Sequence, residues 1–262
     1  MKPRLAHKKL FLFDVDGVLY AGKERLRFIG GKKVIEKLRA TGKKFFVLTN
    51  ISTHTREDIQ ANLNSLGFNI KRDEILSSIQ LLSQYLKEKY GAVKCYMIGE
   101  EGFRTELEAN GHKIVEDDGD FVVVGLDRNL TYEKLDKAMQ ILRKGAKLMA
   151  AHTARVYMYE TGPAMAPGPI VKALEYASGK RALSFGKPSP LMFKLAMANA
   201  RVGSRDTVMV GDQIETDIMG AKKVGIYTIL TLSGVDTMES LKSTKVKPDL
   251  ILKNVDELAR LL

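Results

Sequence analysis

Four short apolar runs in this chain end in residues able to do chemistry. They read Phe11-Leu12-Phe13-Asp14-Val15-Asp16-Gly17, then Phe46-Val47-Leu48-Thr49-Asn50, then Ser184-Phe185-Gly186-Lys187-Pro188, and last Val208-Met209-Val210-Gly211-Asp212 with Thr216 and Asp217 close behind. In a parallel α/β sheet ligands bind beyond the carboxyl ends of the strands, so four such ends could gather carboxylates, a hydroxyl and an ammonium at one edge. That set suits phosphoryl transfer. A carboxylate of ordinary pKa is ionised at neutral pH and needs no general base to act as a nucleophile. Its obstacle is repulsion from an anionic phosphate, roughly 4 kcal/mol for like unit charges about 4 Å apart at an effective dielectric of about 20. A hard divalent cation on oxygen ligands, together with a fixed lysine, can offset that, and Mg²⁺ suits such ligands. Asp14 is then the expected nucleophile. Asp16 could protonate the leaving oxygen and afterwards deprotonate the hydrolytic water. Taken singly, each fragment has a structural reading as turn, helix cap or solvated lysine; the combination in this order carries the chemistry.

The elements that must position these groups follow from alternation of apolar runs and amphipathic stretches, which predicts an α/β fold with a mainly parallel sheet. Leu10–Phe13, Phe45–Leu48, Thr207–Val210 and Tyr227–Leu230 read as buried strands. Helices bearing Val34, Ile35 and Leu38, then Ile59, Leu63 and Leu66, then Ile218, Ala221 and Val224 are stopped by Gly42, Gly67 and Gly225. The middle of the chain has its own βα pattern. Strands are expected at Val93–Ile98, Phe121–Leu126 and Lys147–Ala150, with helices near Ile79–Tyr90, Gly102–Asn110, Tyr132–Lys144 and Pro169–Ser178. A Rossmann-like core at residues 1–77 and 184–262, interrupted by an inserted α/β domain at 78–183, is the expected organisation.

Composition narrows the class. With 262 residues, 45% hydrophobic and 28% charged, the chain is an ordinary globular one. No apolar stretch is long enough to span a bilayer, and the run before Asp14 is too short for a signal peptide. The lone Cys95 suits a reducing cytoplasm, and the four histidines show no metal-ligand spacing. The net charge of +11 is scattered over helical faces without tryptophan. A nucleic-acid binder would usually cluster such charge and interleave aromatics, while a basic envelope can equally raise the encounter rate with anionic small molecules; charge alone decides nothing, and no nucleic-acid partner is expected.

Together the motifs resemble the haloacid dehalogenase (HAD) superfamily of hydrolases, in subfamily IIA with its C2-type α/β cap. Asp14-Val15-Asp16-Gly17-Val18-Leu19-Tyr20 is similar to its first motif, Leu48-Thr49-Asn50 to the second, Gly186-Lys187-Pro188 to the third, and Gly211-Asp212 through Thr216-Asp217-Ile218 to the fourth. The resemblance implies an aspartyl-phosphate on Asp14 and Mg²⁺ held by Asp14, the Asp16 carbonyl and Asp212. It also implies Thr49, Asn50 and Lys187 on the phosphoryl oxygens, with Asp217 orienting the cluster. Dehalogenase and phosphonate-cleaving members lack an aspartate at the position of Asp16, and P-type ATPases carry threonine there. Asp16 therefore points to phosphate esters or anhydrides.

Gly125-Leu126-Asp127-Arg128 and Leu130-Thr131-Tyr132-Glu133 are similar to the cap of NagD and p-nitrophenylphosphatase-like members. Ala151-His152-Thr153-Ala154-Arg155, with Gly168-Pro169 and Leu174-Glu175-Tyr176-Ala177, is more similar to haloacid dehalogenase-like hydrolase domain-containing protein 2 and phospholysine phosphohistidine inorganic pyrophosphate phosphatase. His152 and Arg155 are accordingly candidate substrate contacts. The expectation is a cytoplasmic Mg²⁺-dependent phosphatase whose cap closes over a small phosphorylated substrate or pyrophosphate, with homodimerisation through the cap as a family-based addition. A phosphotransferase or mutase using the same aspartyl-phosphate, and a binding protein on the same fold, are the alternatives.

Overall fold

A computed structural model describes residues 5–22, 25–159 and 162–262. Two parallel sheets organise the chain. The first holds six strands in the order Leu250–Leu252, Tyr227–Thr231, Thr207–Gly211, Leu10–Phe13, Lys44–Thr49 and Ile75–Ser77. The second holds five, in the order Leu183–Ser184, Lys147–Ala150, Phe121–Val124, Lys94–Ile98 and Lys113–Ile114. Every pairing in both sheets is parallel.

The period of two along each strand sorts side chains to the two faces. Phe11 and Phe13 of the first strand pack with Val34, Ile35, Leu38, Ile59 and Leu63 of the helices Lys32–Ala40 and Arg56–Ser65. Leu10 and Leu12 face the other way, toward Met192, Phe193 and Ala196 of helix Pro190–Ala200 and Ile79, Leu82 and Leu86 of helix Ser78–Tyr90. The same cluster runs on into the second sheet through Phe103, Leu107, Phe121, Val123, Met149 and Phe185. Burying side chains of this size contributes about 1.5–3 kcal/mol each. A hinge opening between the two sheets would expose them, so the expected swing of the whole cap works against a shared core. The far face of the second sheet is covered by the helices Tyr132–Arg143 and Pro167–Ser178 through Ala138, Ile141, Leu142, Val171 and Leu174.

The sequence reading located the long strands within a residue or two. It gave no strand at Ile75–Ser77 or Leu250–Leu252, and it missed two small antiparallel ribbons. One is the flap of Tyr20–Ala21 and Arg27–Phe28; the other is the hairpin of Val156–Tyr159 and Gly162–Met165. One placement needs correction. The run leading to Lys187 does not end a strand of the sheet carrying Asp14: Leu183–Ser184 is an edge strand of the second sheet, and Lys187 lies on the return from it. Among the described residues no helix is long and apolar enough to cross a membrane.

Candidate active site

The strand Leu10–Phe13 is where the order of the six-stranded sheet reverses. The chain first builds outward through Lys44–Thr49 and Ile75–Ser77, then returns after the second sheet to add Thr207–Gly211 on the opposite side. A crevice forms beyond the carboxyl end of such a switch strand. Asp14 is the first residue past it. Its N–H still donates to Val210 O at 2.9 Å, and its carboxylate is buried. Asp14 Oδ1 accepts from Val15 N at 2.7 Å and lies 2.7 Å from Lys187 Nζ.

Lys187 is only 1% exposed and also reaches Asp217 Oδ1 at 2.7 Å, so one ammonium is shared by two carboxylates. Asp217 is turned inward by a wide turn at Ile214–Ile218, in which Ile218 N donates five residues back to Gln213 O at 3.2 Å. Its other oxygen accepts from Asp212 N at 3.2 Å and Gln213 N at 3.1 Å. Both Asp217 oxygens are therefore engaged in holding the lysine and the loop.

Asp212 is placed differently. Its Oδ2 accepts from Val235 N at 2.8 Å, while its Oδ1 is buried with no hydrogen-bond partner. Gly17, at φ 79°, and Gly234 press against this carboxylate: a Cβ at either position would lie 2.3 Å or 2.0 Å from Asp212 Oδ2. Oxygens of Asp14, Asp212 and Asp217 lie within 4.8 Å of one another, a cluster that could hold a metal ion. Burial and the neighbouring Asp217 push the Asp14 carboxyl up to about 6 against the pull of Lys187. Burial, then Asp14 and Asp217, hold Asp212 well above the ordinary carboxylate range. Burial alone would lower Lys187, but the two aspartates outweigh it and raise its pKa.

This cluster forms the floor of a cavity of about 950 Å³. Asp16, Thr49, Asn50 and His152 line it as well. Thr49 is buried, with its Oγ1 accepting from Ile51 N at 3.0 Å. Asn50 departs from expectation. Its Nδ2 donates to Lys187 O at 2.8 Å and its Oδ1 accepts from Lys187 N at 2.9 Å, so the amide expected on phosphoryl oxygens grips the lysine's own backbone. His152 is buried beside Lys187. Burial first and that ammonium second lower its pKa to about 4, and the N–H of Ala154 approaches its Nδ1 at 3.4 Å. Arg155 is not on the cavity wall: it is exposed and bonded to Glu215 at 2.8 and 2.9 Å, where the surface offers a carboxylate and the cavity does not reach.

Sequence reasoning missed the upper wall, formed by Arg25, Arg27 and Phe28 of the flap, Arg128, and Tyr157, Met158 and Tyr159 of the hairpin. The alternation in Val156-Tyr157-Met158-Tyr159 was the available signal for that hairpin.

The fold agrees with comparisons to known proteins. The family model for haloacid dehalogenase-like hydrolases matches residues 11–113, and a HAD-hydrolase-like model matches residues 184–258. An acid sugar phosphatase of Staphylococcus haemolyticus is 31% identical over 249 residues, covering 95% of this chain and 94% of the relative. The chain belongs to the haloacid dehalogenase-like hydrolases. Among solved HAD structures, the 4-nitrophenylphosphatase of Thermotoga maritima superposes with a TM-score of 0.91 at 33% identity, covering 98% of both chains. A p-nitrophenyl phosphatase of Archaeoglobus fulgidus gives 0.89 at 30% identity, over 97% of this chain and 99% of that one. NagD from Escherichia coli K-12 gives 0.84 at 27% identity, over 95% and 98%. The second sheet of this HAD hydrolase is thus matched along with the first, and the expected C2-type cap is part of the shared fold.

Proposed function

We propose that the chain is a Mg²⁺-dependent phosphatase that hydrolyses a small-molecule phosphate monoester through an aspartyl-phosphate on Asp14. The observation that carries this is the floor: a buried lysine 2.7 Å from Asp14, beside an Asp212 oxygen with no partner, at the bottom of a cavity. The names of the relatives, an acid sugar phosphatase, a 4-nitrophenylphosphatase and a p-nitrophenyl phosphatase, support it. We assign the core to residues 1–77 and 184–262 and the cap to 78–183, a division supported by which sheet each strand joins except at Ser184, which pairs in the second sheet.

The donor set fits a hard cation. Lys187 is ion-paired with Asp14 and Asp217, and the buried Asp212 Oδ1 has no hydrogen-bond partner among the described residues. Asp14, the Asp16 carbonyl and Asp212 would hold Mg²⁺; Asp217, ion-paired with Lys187 through Oδ1 and bonded to the loop through Oδ2, orients Lys187 instead. When bound, the ion would supply positive charge to the phosphoryl oxygens and offset the repulsion among the carboxylates.

An Asp14 oxygen attacks phosphorus as Lys187 and the Thr49 hydroxyl hold the phosphoryl oxygens. Asp16 gives a proton to the departing alkoxide, then takes one from the water that cleaves the aspartyl-phosphate. Asn50 fixes Lys187 through both its backbone groups. His152, neutral above about pH 4, offers a hydrogen bond without adding charge. Replacing Asp14→Asn should lower Mg²⁺-dependent release of p-nitrophenol from p-nitrophenyl phosphate by more than about 10³-fold while the far-UV spectrum is retained. Retained turnover would end the assignment.

A further inference from the structure

The rim of the cavity carries charge that attack on a phosphate ester does not by itself require. Among the described residues four cations line the cavity: Lys187, Arg128, Arg25 and Arg27. Lys187 has Asp14 and Asp217, and Arg128 is held by Glu100 through bonds of 2.8 and 2.7 Å. Arg25 and Arg27 are exposed, and among the described residues neither pairs with a carboxylate. Two guanidinium groups that no carboxylate among the described residues neutralises therefore stand on one wall.

That wall is tied to the chemistry. The flap grows directly out of the Asp16 turn: Asp16 bridges to Tyr20, Gly17 N donates to Tyr20 O at 2.8 Å, and Ile29 N donates to Leu19 O at 3.0 Å. Ala21 and Arg27 then pair across the ribbon. Arg25 and Arg27 line the same cavity as Lys187 and Asp16, so a leaving group extending from Asp16 along the flap would meet them. Phe28, Leu126, Val156 and Met158 supply apolar wall for a short carbon skeleton between the two ends.

We infer that Arg25 and Arg27 read a second anionic group on the alcohol being released, so that the favoured substrates are small phosphate esters carrying a further carboxylate or phosphate. This rests on the phosphatase reading above and names its substrate class. A guanidinium fork matches either anion with two parallel N–H bonds, and at the mouth of a cleft its charge also raises the local concentration of such molecules.

The test is a set of matched substrates assayed with Mg²⁺, with p-nitrophenyl phosphate as the reference. 3-Phosphoglycerate is set against glycerol 3-phosphate, and fructose 1,6-bisphosphate against fructose 6-phosphate. For at least one pair, kcat/KM should favour the member with the second anion by about 10- to 100-fold, the scale of one or two charge-assisted bonds. A preference in the first pair alone identifies a carboxylate reader, and in the second alone a phosphate reader. The ratio should collapse toward one in the Arg25→Gln/Arg27→Gln variant, chiefly through KM. It should survive in part in Arg25→Lys/Arg27→Lys and reverse in Arg25→Glu/Arg27→Glu. A wild-type ratio near one in both pairs, or a ratio unmoved by these substitutions, overturns the inference. Absence of turnover even on p-nitrophenyl phosphate overturns the phosphatase reading, and this inference with it.

Discussion

At the floor of the cavity one lysine and three aspartates are buried and hold one another, whereas at the rim Arg25 and Arg27 are exposed and, among the described residues, pair with no carboxylate. The floor is positioned by strand ends, a wide turn and two glycines pressed against Asp212. The upper wall is carried on two short ribbons outside both parallel sheets. In the proposed function, reaction type and substrate choice are separated in physical kind as well as in space. The floor fixes buried charges at 2.7 Å, where small displacements are costly. The rim offers solvated charge, which can select among substrates without disturbing the chemistry.

The sharpest way to break this contrast is to remove the floor's cation. Lys187→Met leaves Asp14 and Asp217 buried without their shared counter-charge. Turnover should fall by at least about 10²-fold, and thermal unfolding should shift down as expected for a buried pair broken on one side, roughly 3–5 kcal/mol. A variant as stable and active as the parent would show that the floor does not depend on its internal pairing. Next in size is Gly234→Ala. Its methyl would lie 2.0 Å from Asp212 Oδ2, so the carboxylate must move. The Mg²⁺ concentration for half-maximal activity should rise by about tenfold or more, the range for disturbing the support of a metal ligand. An unchanged Mg²⁺ response would mean that Asp212 is not a ligand.

A smaller effect follows from protonation. Asp14 titrates near 6 in the metal-free fold, against an ordinary value of 3.8. Between those values the native state keeps a proton that the unfolded chain has released, so this group lowers stability as pH rises through that window. An ion bound at Asp14 must displace the proton. The rise in unfolding temperature on adding Mg²⁺ should therefore grow from pH 5 to pH 7.5, and an equal rise at both would contradict the assignment of Asp14 as a ligand. The smallest effect belongs to Arg155→Gln, off the cavity wall and paired with Glu215 at the surface. Stability should change by less than about 1 kcal/mol, and kcat/KM on p-nitrophenyl phosphate by less than about threefold. A larger kinetic loss would bring Arg155 back as a substrate contact.

The same division decided what could be read in the sequence. Asp14, Asp16, Thr49 and Asp212 follow apolar runs whose burial and direction a sequence declares, so their convergence could be anticipated. Lys187 converges with them as well, but from the other sheet, because two-residue Leu183–Ser184 is too short for its partner to be inferred. The work of Asn50 was hidden because its amide bonds to a backbone 137 residues away, and nothing local marks an asparagine for that purpose. The edge strands Ile75–Ser77 and Leu250–Leu252 are three residues each, below the length at which alternation is recognisable. The arginines of the flap lie in a polar stretch without periodicity, and only the ribbon's pairing brings them to the rim. Residues 160 and 161, beside the hairpin turn, lie outside the described part of the chain.

The most direct test of the central claim is to trap the covalent intermediate. The Mg²⁺-loaded protein, mixed with excess p-nitrophenyl phosphate and quenched in acid within milliseconds, is reduced with borohydride and mapped by mass spectrometry. Reduction confined to the peptide carrying Asp14, at position 14, and absent without substrate, is the expected result. Turnover with no modification at Asp14, or modification at another carboxylate, would contradict it.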